Sequence, residues 1–317
     1  MTIGFQKAFG AGNQGGVRLG FPFPVSRTWI APADGIVVAR VMAGAGSGAS
    51  GGTNTGSSAS GGYSASWALK VFRVVKGQSI AVVVGAGGAP VSVPGNGNPG
   101  SVSSITVAGV THSTPGGFGG VYVTSGAATI PDGPVSSDTW WDLKVASVKP
   151  GLPTANLGQV TGGAGVDILA QGNNPTSSGS GAQTGGGGSG APSAPSGSPG
   201  GGALPGGKDV LNYSPASGIG SIVVIGETDW GVSFYGGSGG VNGDGGNGGG
   251  GAYASPSGYK GGTGGGGGAA QGAGPTGGDG GLGGGGGAAR ASSGTATSGR
   301  GGSGWVFFEF YQDITGV

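Results

Sequence analysis

Apolar residues in this chain come in short β-branched runs, each closed by glycine, proline or a polar turn. Thr28-Trp29-Ile30-Ala31-Pro32 leads through Asp34-Gly35 into Ile36-Val37-Val38-Ala39-Arg40-Val41-Met42. Residues 67–75, a Lys76-Gly77-Gln78 turn and residues 80–84 follow, then 101–107, 121–124, 140–145, 219–225 and 305–311. β-branched and aromatic runs bounded by Gly and Pro read as strands. No segment of adequate length repeats apolar residues at i, i+3, i+4 and i+7 without glycine, so helix should be nearly absent.

Glycine changes this picture. It supplies 88 of 317 residues. In the last third it falls at 237, 240, 243, 246 and 249, at 258, 261, 264 and 267, and at 274, 277, 280, 283 and 286. Three residues per turn is the period of the extended polyproline-type helix. Ordering this much glycine, at ~1–2 kcal/mol per residue, costs on the order of 100 kcal/mol. A glycine-only polyglycine II bundle, with backbone N–H···O=C bonds between neighbours, offsets that cost only when anchored on a conventional core. Residues 305–311 are the expected anchor, a closing strand returning to the N-terminal strands. Disorder of the whole chain is disfavoured by a net charge of +1, only 8% charged residues, and clustered apolar positions.

The expected fold is therefore all-β: a β-sandwich-like core with packed polyglycine II helices and essentially no α-helix. The expected organisation is an N-terminal attachment arm at 1–25 and a β-rich core at 26–125. A mixed insertion follows at 126–235, then a glycine-helix region at 236–304 and a closing strand at 305–317. Prolines 22 and 24 keep the end of the arm extended. Its phenylalanines serve either as packing on their own domain or as a dock for another chain.

Once these pieces are in order, the chain resembles the glycine-rich domain of bacteriophage tail-fibre tips and adhesins. The resemblance rests on Trp29-Ile30-Ala31-Pro32-Ala33-Asp34-Gly35, Ala43-Gly44-Ala45-Gly46, and the segment from Lys76 to Gly88. The piece from Gly97 to Ser104, the glycine tracts and the terminal apolar strand complete it. It covers roughly 27–125 and 236–311. It implies a receptor-binding protein on a virion tail or fibre tip, assembled in the host cytoplasm. The implied partners are a host surface glycan or outer-membrane protein, plus other tail proteins through residues 1–25. A homo-oligomer, with a trimer as the fibre-tip pattern, is also implied. The alternative is a purely structural tail-tip or fibre-connector protein. Ice binding by a flat glycine face is a third reading, weakened by irregular Thr and Ala spacing.

Chemical signatures are sparse. With no cysteine there are no disulfides and no thiolate metal sites. No apolar run approaches the ~20 residues of a membrane span, and scattered Lys and Arg do not suggest nucleic acid. Neither cofactor nor metal is expected. Gly206-Gly207-Lys208-Asp209 lacks the Ser or Thr of a phosphate loop. Residues 241–247 resemble one calcium-binding turn but do not repeat. His112, the one histidine, sits among Thr, Ser, Pro and Gly without a nearby acid in sequence and is expected at the surface. Glu227 and Asp229 would share one strand face, a weak hint of glycoside cleavage. A non-enzymatic binder is the expectation. Its candidate contacts are aromatic and cationic residues that interrupt glycine or polar segments: Tyr253, Tyr259, Lys260, Tyr235 and Trp230. Trp140, Trp141 and Trp230 are also assigned to local core packing, and plugging the edge of the bundle is the alternative to contact for Tyr253, Tyr259 and Lys260.

Overall fold

The computed structural model describes residues 5–6, 18–53, 57–124, 130–151, 160–166, 244, 250–251 and 253–313. Fifteen strands and no helix occur among them. They are β1 (Phe5–Gln6), β2 (Arg18–Phe23), β3 (Arg27–Ile30), β4 (Gly35–Met42), β5 (Ser50–Gly51), β6 (Ser58–Ala59), β7 (Trp67–Val74) and β8 (Ser79–Val83). β9 (Ser103–Val107), β10 (Val110–Thr114), β11 (Tyr122–Val123), β12 (Leu143–Val145), β13 (Ala270–Ala273), β14 (Ala289–Ser293) and β15 (Trp305–Gln312) complete the set. The chain is all-β.

A six-stranded antiparallel sheet runs β1-β2-β15-β4-β7-β12, and a four-stranded one β10-β9-β8-β3. The two share one apolar cluster, because alternation along each strand sends every second residue the same way. Phe23, Val37, Ala39, Val41, Ala68, Val74, Val306, Phe308 and Phe310 come from the first sheet; Trp29, Ile80, Val82 and Ile105 come from the second. Trp29 lies at the centre, edge-on to Phe21 and Phe308, each with ring centroids 5.4 Å away. On the opposite side of β15, buried Glu309 lies between Arg18 and Arg40 and accepts the Tyr311 hydroxyl at 2.6 Å. The charge is thus enclosed by partners, as burial requires.

Two of the expected boundaries move. Arg18–Phe23, assigned to the attachment arm, is a strand between β1 and β15, with Phe23 fully buried in the core cluster. Residues 130–151 and 160–166 fall within the expected insertion, yet they are integral. Trp141 enters the core, β12 extends the large sheet, and Val160–Val166 backbone groups bond into the glycine region. The strand expected over 219–225 lies outside the described residues. The C-terminal strand does return as expected, between β2 and β4.

Beyond the sheets, extended glycine-rich runs bond to one another backbone to backbone. Along 43–50 the acceptor rotates with a period of three. Ala43, Gly46 and Ala49 donate to Ser66, Tyr63 and Ser60; Gly44, Ser47 and Ser50 to Ser101, Asn98 and Gly95; Ala45 and Gly48 to Gly302 and Gly299. Run 284–289 donates to 278–281, 161–164 and 46–49, and run 283–288 accepts from 299–302, 267–270 and 62–65. It therefore has six bonded neighbours. A Cβ on any of Gly284 to Gly287 would fall on a neighbouring carbonyl, those of Gly265, Gly62, Gly299 and Gly268 in turn. That is why four consecutive positions lack side chains.

The glycine rhythm does not mark unbroken helices, however. Gly265 donates to Gly262 at 2.7 Å and Gly284 to Gly281 at 2.8 Å, closing two reverse turns. Gly264 and Gly283 occupy their third positions with φ of 78° and 72°, a conformation that selects glycine. The period of three continues through these turns in sequence while the chain itself folds back.

Candidate functional site

The runs of the glycine array travel between two ends. One end abuts the core, where Met42, Ala65, Trp67, Val145 and Val166 are buried against Leu282 and Trp305. At the other end the connecting loops gather. Thr276 donates to the Pro256 carbonyl at 3.0 Å, Thr297 to Pro275 at 2.8 Å, and Gly274 to Ser293 at 2.9 Å. Ser298 donates to Val91 at 2.9 Å, and the Thr297 and Ser92 hydroxyls meet at 3.3 Å. Ser50 Oγ donates to the Ala296 carbonyl at 2.9 Å. The parallel strands β13, β14 and β5 underlie this tip.

Ser92, Val93, Pro94, Ser255, Pro256, Ser257, Ala273, Thr276, Ser292, Ser293 and Thr295 are exposed there, Val93 by 66%. The array fixes the loop ends through backbone bonds and leaves these side chains to the solvent. Such an arrangement, loops on a rigid support, is how proteins present contact surfaces.

The five residues that the sequence singles out are not brought together at this tip. Tyr253 is 7% exposed and packs with Ala49, Ala59, Val160, Ala269 and Ala288 beneath the loops. Burial raises its pKa and leaves it little surface to offer a partner. It reads as core packing, the alternative to an exposed contact. Tyr259 and Lys260 lie two and three residues past Ser257, on the flank rather than the tip. Tyr259 is half-buried, its carbonyl accepting from Gly268, while Lys260 is exposed and its backbone N–H donates to Asp244 Oδ1 at 2.8 Å. Trp230 and Tyr235 lie outside the described residues, as do Glu227, Asp229, Lys208 and most of 241–247.

His112 departs from its expected exposed loop. It lies on β10, 8% exposed, with its ring stacked on Trp140 at 3.8 Å and 11°. Its Nδ1 bonds Asp138 Oδ2 at 2.9 Å, so the acid partner missing from the local sequence arrives from 26 residues on. Asp138 also accepts the Trp140 N–H at 2.9 Å, and Trp141 Nε1 donates to the Ser113 carbonyl at 3.3 Å. Partial burial pushes the Asp138 carboxyl up, but the Trp140 N–H, His112 and Lys144 outweigh it and hold the pKa below the ordinary value. Asp142 is held low by Lys70, bonded at 2.7 Å, and by the Val71 N–H. These contacts strap residues 136–145 across one side of the two sheets, a latch built on packing and charge. Deeper in, burial and the nearby Asp132 charge push Tyr63 up to about 12, while its hydroxyl donates to the Pro131 carbonyl at 2.7 Å.

Among the described residues no group of three or more His, Asp or Glu could hold a metal ion. No helix there is long and apolar enough to cross a membrane. Neither a family model nor a curated protein matches the chain.

The tip loops carry a signal that residue chemistry alone does not expose. A short motif recurs as Asp244-Gly-Gly-Asn247, Lys260-Gly-Gly-Thr263, Asp279-Gly-Gly-Leu282 and Arg300-Gly-Gly-Ser303, and the first three copies continue into further glycine. Ala269-Ala270 and Ala288-Ala289 end the glycine stretches. The loops are what lies between the alanines and the next copy of the motif, so a search for internal repeats would have outlined them.

Proposed function

We propose that this chain is a non-enzymatic receptor-binding protein of a bacterial virus, carried at the tip of a tail or tail fibre. In this reading the glycine runs form a polyglycine II bundle seated on a sandwich-like β core. The bundle is a stiff support whose far-end loops touch a glycan or outer-membrane protein of the host. One observation carries the reading: runs with six hydrogen-bonded neighbours, partners rotating every three residues, end in a cluster of exposed loops. A rigid backbone lattice limits the entropy lost when its loops bind, which favours affinity. The surface to test first is Ser255–Ser257 with Ser292–Thr295, and Tyr259 and Lys260 form its flank. Attachment to other tail proteins through the N-terminal segment belongs to the same proposal, with assembly in the host cytoplasm.

The test uses the purified full chain on a panel of bacteria. Labelled protein should bind a subset of strains and slow virion adsorption to those strains. Replacing residues 255–257 and 292–295 with Gly-Ser sequence should abolish binding while leaving the thermal transition in place. A folded chain that binds no strain and competes with no virion would overturn this reading in favour of a connector within the tail.

A further inference from the structure

The exposed flank of the array is a regular grid. In run 257–263 the residues at 257, 260 and 263 are exposed or half-exposed, and so are the equivalent positions in runs 276–282 and 297–303, with half-buried Leu282 leaning on the apolar seam. Between them lie mostly glycines, which keep the face flat. Backbone bonds align the runs side by side: Gly258, Gly261 and Gly264 donate to Thr276, Asp279 and Leu282, and Gly277, Gly280 and Gly283 to Thr297, Arg300 and Ser303. The middle row of the grid therefore reads Lys260, Asp279, Arg300. Asp244 extends it, because its carboxylate accepts the Lys260 N–H, as Asp279 accepts the Arg300 N–H at 2.8 Å. The row carries −, +, −, + from Asp244 across the three aligned runs.

A row of alternating sign and even length is its own complement. Turned over by 180° about an axis that lies in the face and perpendicular to the row, it reads +, −, +, −. We propose that this flank pairs with the same flank of a second copy of the chain, about a twofold axis. Asp244 then opposes the partner copy's arginine of the same row, Lys260 opposes its Asp279, and each contact occurs twice, as an isologous interface requires. Charges on a flat, glycine-bare face can approach closely without side-chain obstruction. The patch is small. At ~3.1 Å rise per residue and ~4.8 Å between runs, it spans roughly 350 Å². That is under half of the ~800 Å² per partner of a stable interface, and exposed ion pairs contribute little each. The pairing is accordingly weak and sensitive to salt, suited to copies already held near one another. It is independent of what the tip loops bind.

Sedimentation velocity on the full chain tests this. Wild type should show concentration-dependent dimer in low salt and monomer at roughly 1 M salt, where screening acts within ~3 Å. Lys260→Asp puts like charges opposite each other twice, uses a side chain with no role in the array's backbone bonds, and should be monomeric with a melting temperature lowered only slightly by its own Asp244 and Asp279 neighbours. Opposition of unlike charge is restored in two ways: adding Asp279→Lys to the same chain, or mixing Lys260→Asp chains with Asp279→Lys chains. Either should recover dimer. A wild type that stays monomeric at every concentration in low salt overturns the proposal. So does a Lys260→Asp chain that pairs as well as wild type, or restored charge that recovers no dimer.

Discussion

The β core and the glycine array use the same backbone bonds to opposite ends. In the core each strand has two bonding edges, and its two faces carry side chains, so neighbours across the sheet gap touch through Trp29, Phe308 and Phe310. Along Gly284–Gly287 of the array the side chains are gone, and the freed directions all become bonding directions. Run 284–289 reaches six neighbours where a strand reaches two. The core is stabilised chiefly by apolar surface removed from water, ~25 cal/mol per Å². The array is stabilised by hydrogen bonds of ~0.5–1.5 kcal/mol net each, against a backbone entropy cost of ~1–2 kcal/mol per residue. It is not self-sufficient on those terms. The seam of Met42, Trp67, Val145, Val166, Leu282 and Trp305 joins it to a conventional core. What the two regions teach together is that a missing side chain can be as specific a packing element as a large one.

One methyl added in the array should cost as much as one ring removed from the core. Gly286→Ala places a Cβ on the Gly299 carbonyl, with the Arg300 carbonyl at 2.7 Å, in a run enclosed on all sides. Backbone cannot yield there without breaking bonds to several runs, so a loss of more than ~4 kcal/mol is expected, a size reserved for specific structural faults. Phe308→Ala leaves a void beside Phe23 and Trp29 and should cost ~3–5 kcal/mol. Urea unfolding of both variants measures this. If Gly286→Ala stays within about 1 kcal/mol of wild type, the close-packed account of the array is wrong.

The core is legible in sequence because its strands alternate. Residues 36–42 read as apolar and β-branched, and β4 buries every second residue from Gly35 onward. The return of 305–311 follows from its being the one apolar run after the glycines, and β15 sits where a closing strand must. Arg18–Phe23 escapes notice because Pro22 and Pro24 argue against a paired strand, yet Pro22 faces Phe307 in register. The period of three discloses which backbones approach one another. It cannot disclose the turns at Gly264 and Gly283, since glycine serves both purposes and a turn leaves the spacing intact. The tip is obscured for a related reason. Ser, Pro and Thr in a loop carry no chemistry of their own, and only the convergence of segments as distant as Ser92 and Thr297 makes a surface. His112 shows the limit most plainly, since its acid partner is brought by tertiary folding alone.

A gentler test works at the strap of 136–145, which closes the core side and leads onward to the array. Asp138 and Asp142 both have folded-state pKa values below the ordinary 3.8. Groups with depressed values contribute stability that is present above the unfolded value and lost as pH falls through the folded one. The melting temperature should therefore decline as pH drops below about 4, with a shallower decline in Asp142→Asn, which no longer titrates against Lys70. Both carboxylates are partly solvated, so the effect is modest. Equal slopes in wild type and Asp142→Asn below pH 4 would remove Asp142 from the latch.

The smallest expected effect is the most discriminating, because it separates glycine as composition from glycine as contact. Gly95 lies in the tip, bonded through both its N–H and carbonyl to Ser50, in a Pro-Gly-Asn-Gly segment, whereas Gly286 sits in the unbroken run Gly283–Gly287. A Cβ there meets only the Val93 carbonyl, at 3.9 Å, and its φ lies outside the left-handed region. Nothing is displaced and no bond is lost. Alanine also narrows the unfolded ensemble, which stabilises by ~0.4–1 kcal/mol where the native conformation tolerates it. Gly95→Ala should thus be neutral or slightly stabilising, where Gly286→Ala is severe. Were both substitutions equally damaging in the same urea series, glycine would be required here for backbone freedom everywhere rather than for close approach at particular places, and the six-neighbour packing would not be what selects it.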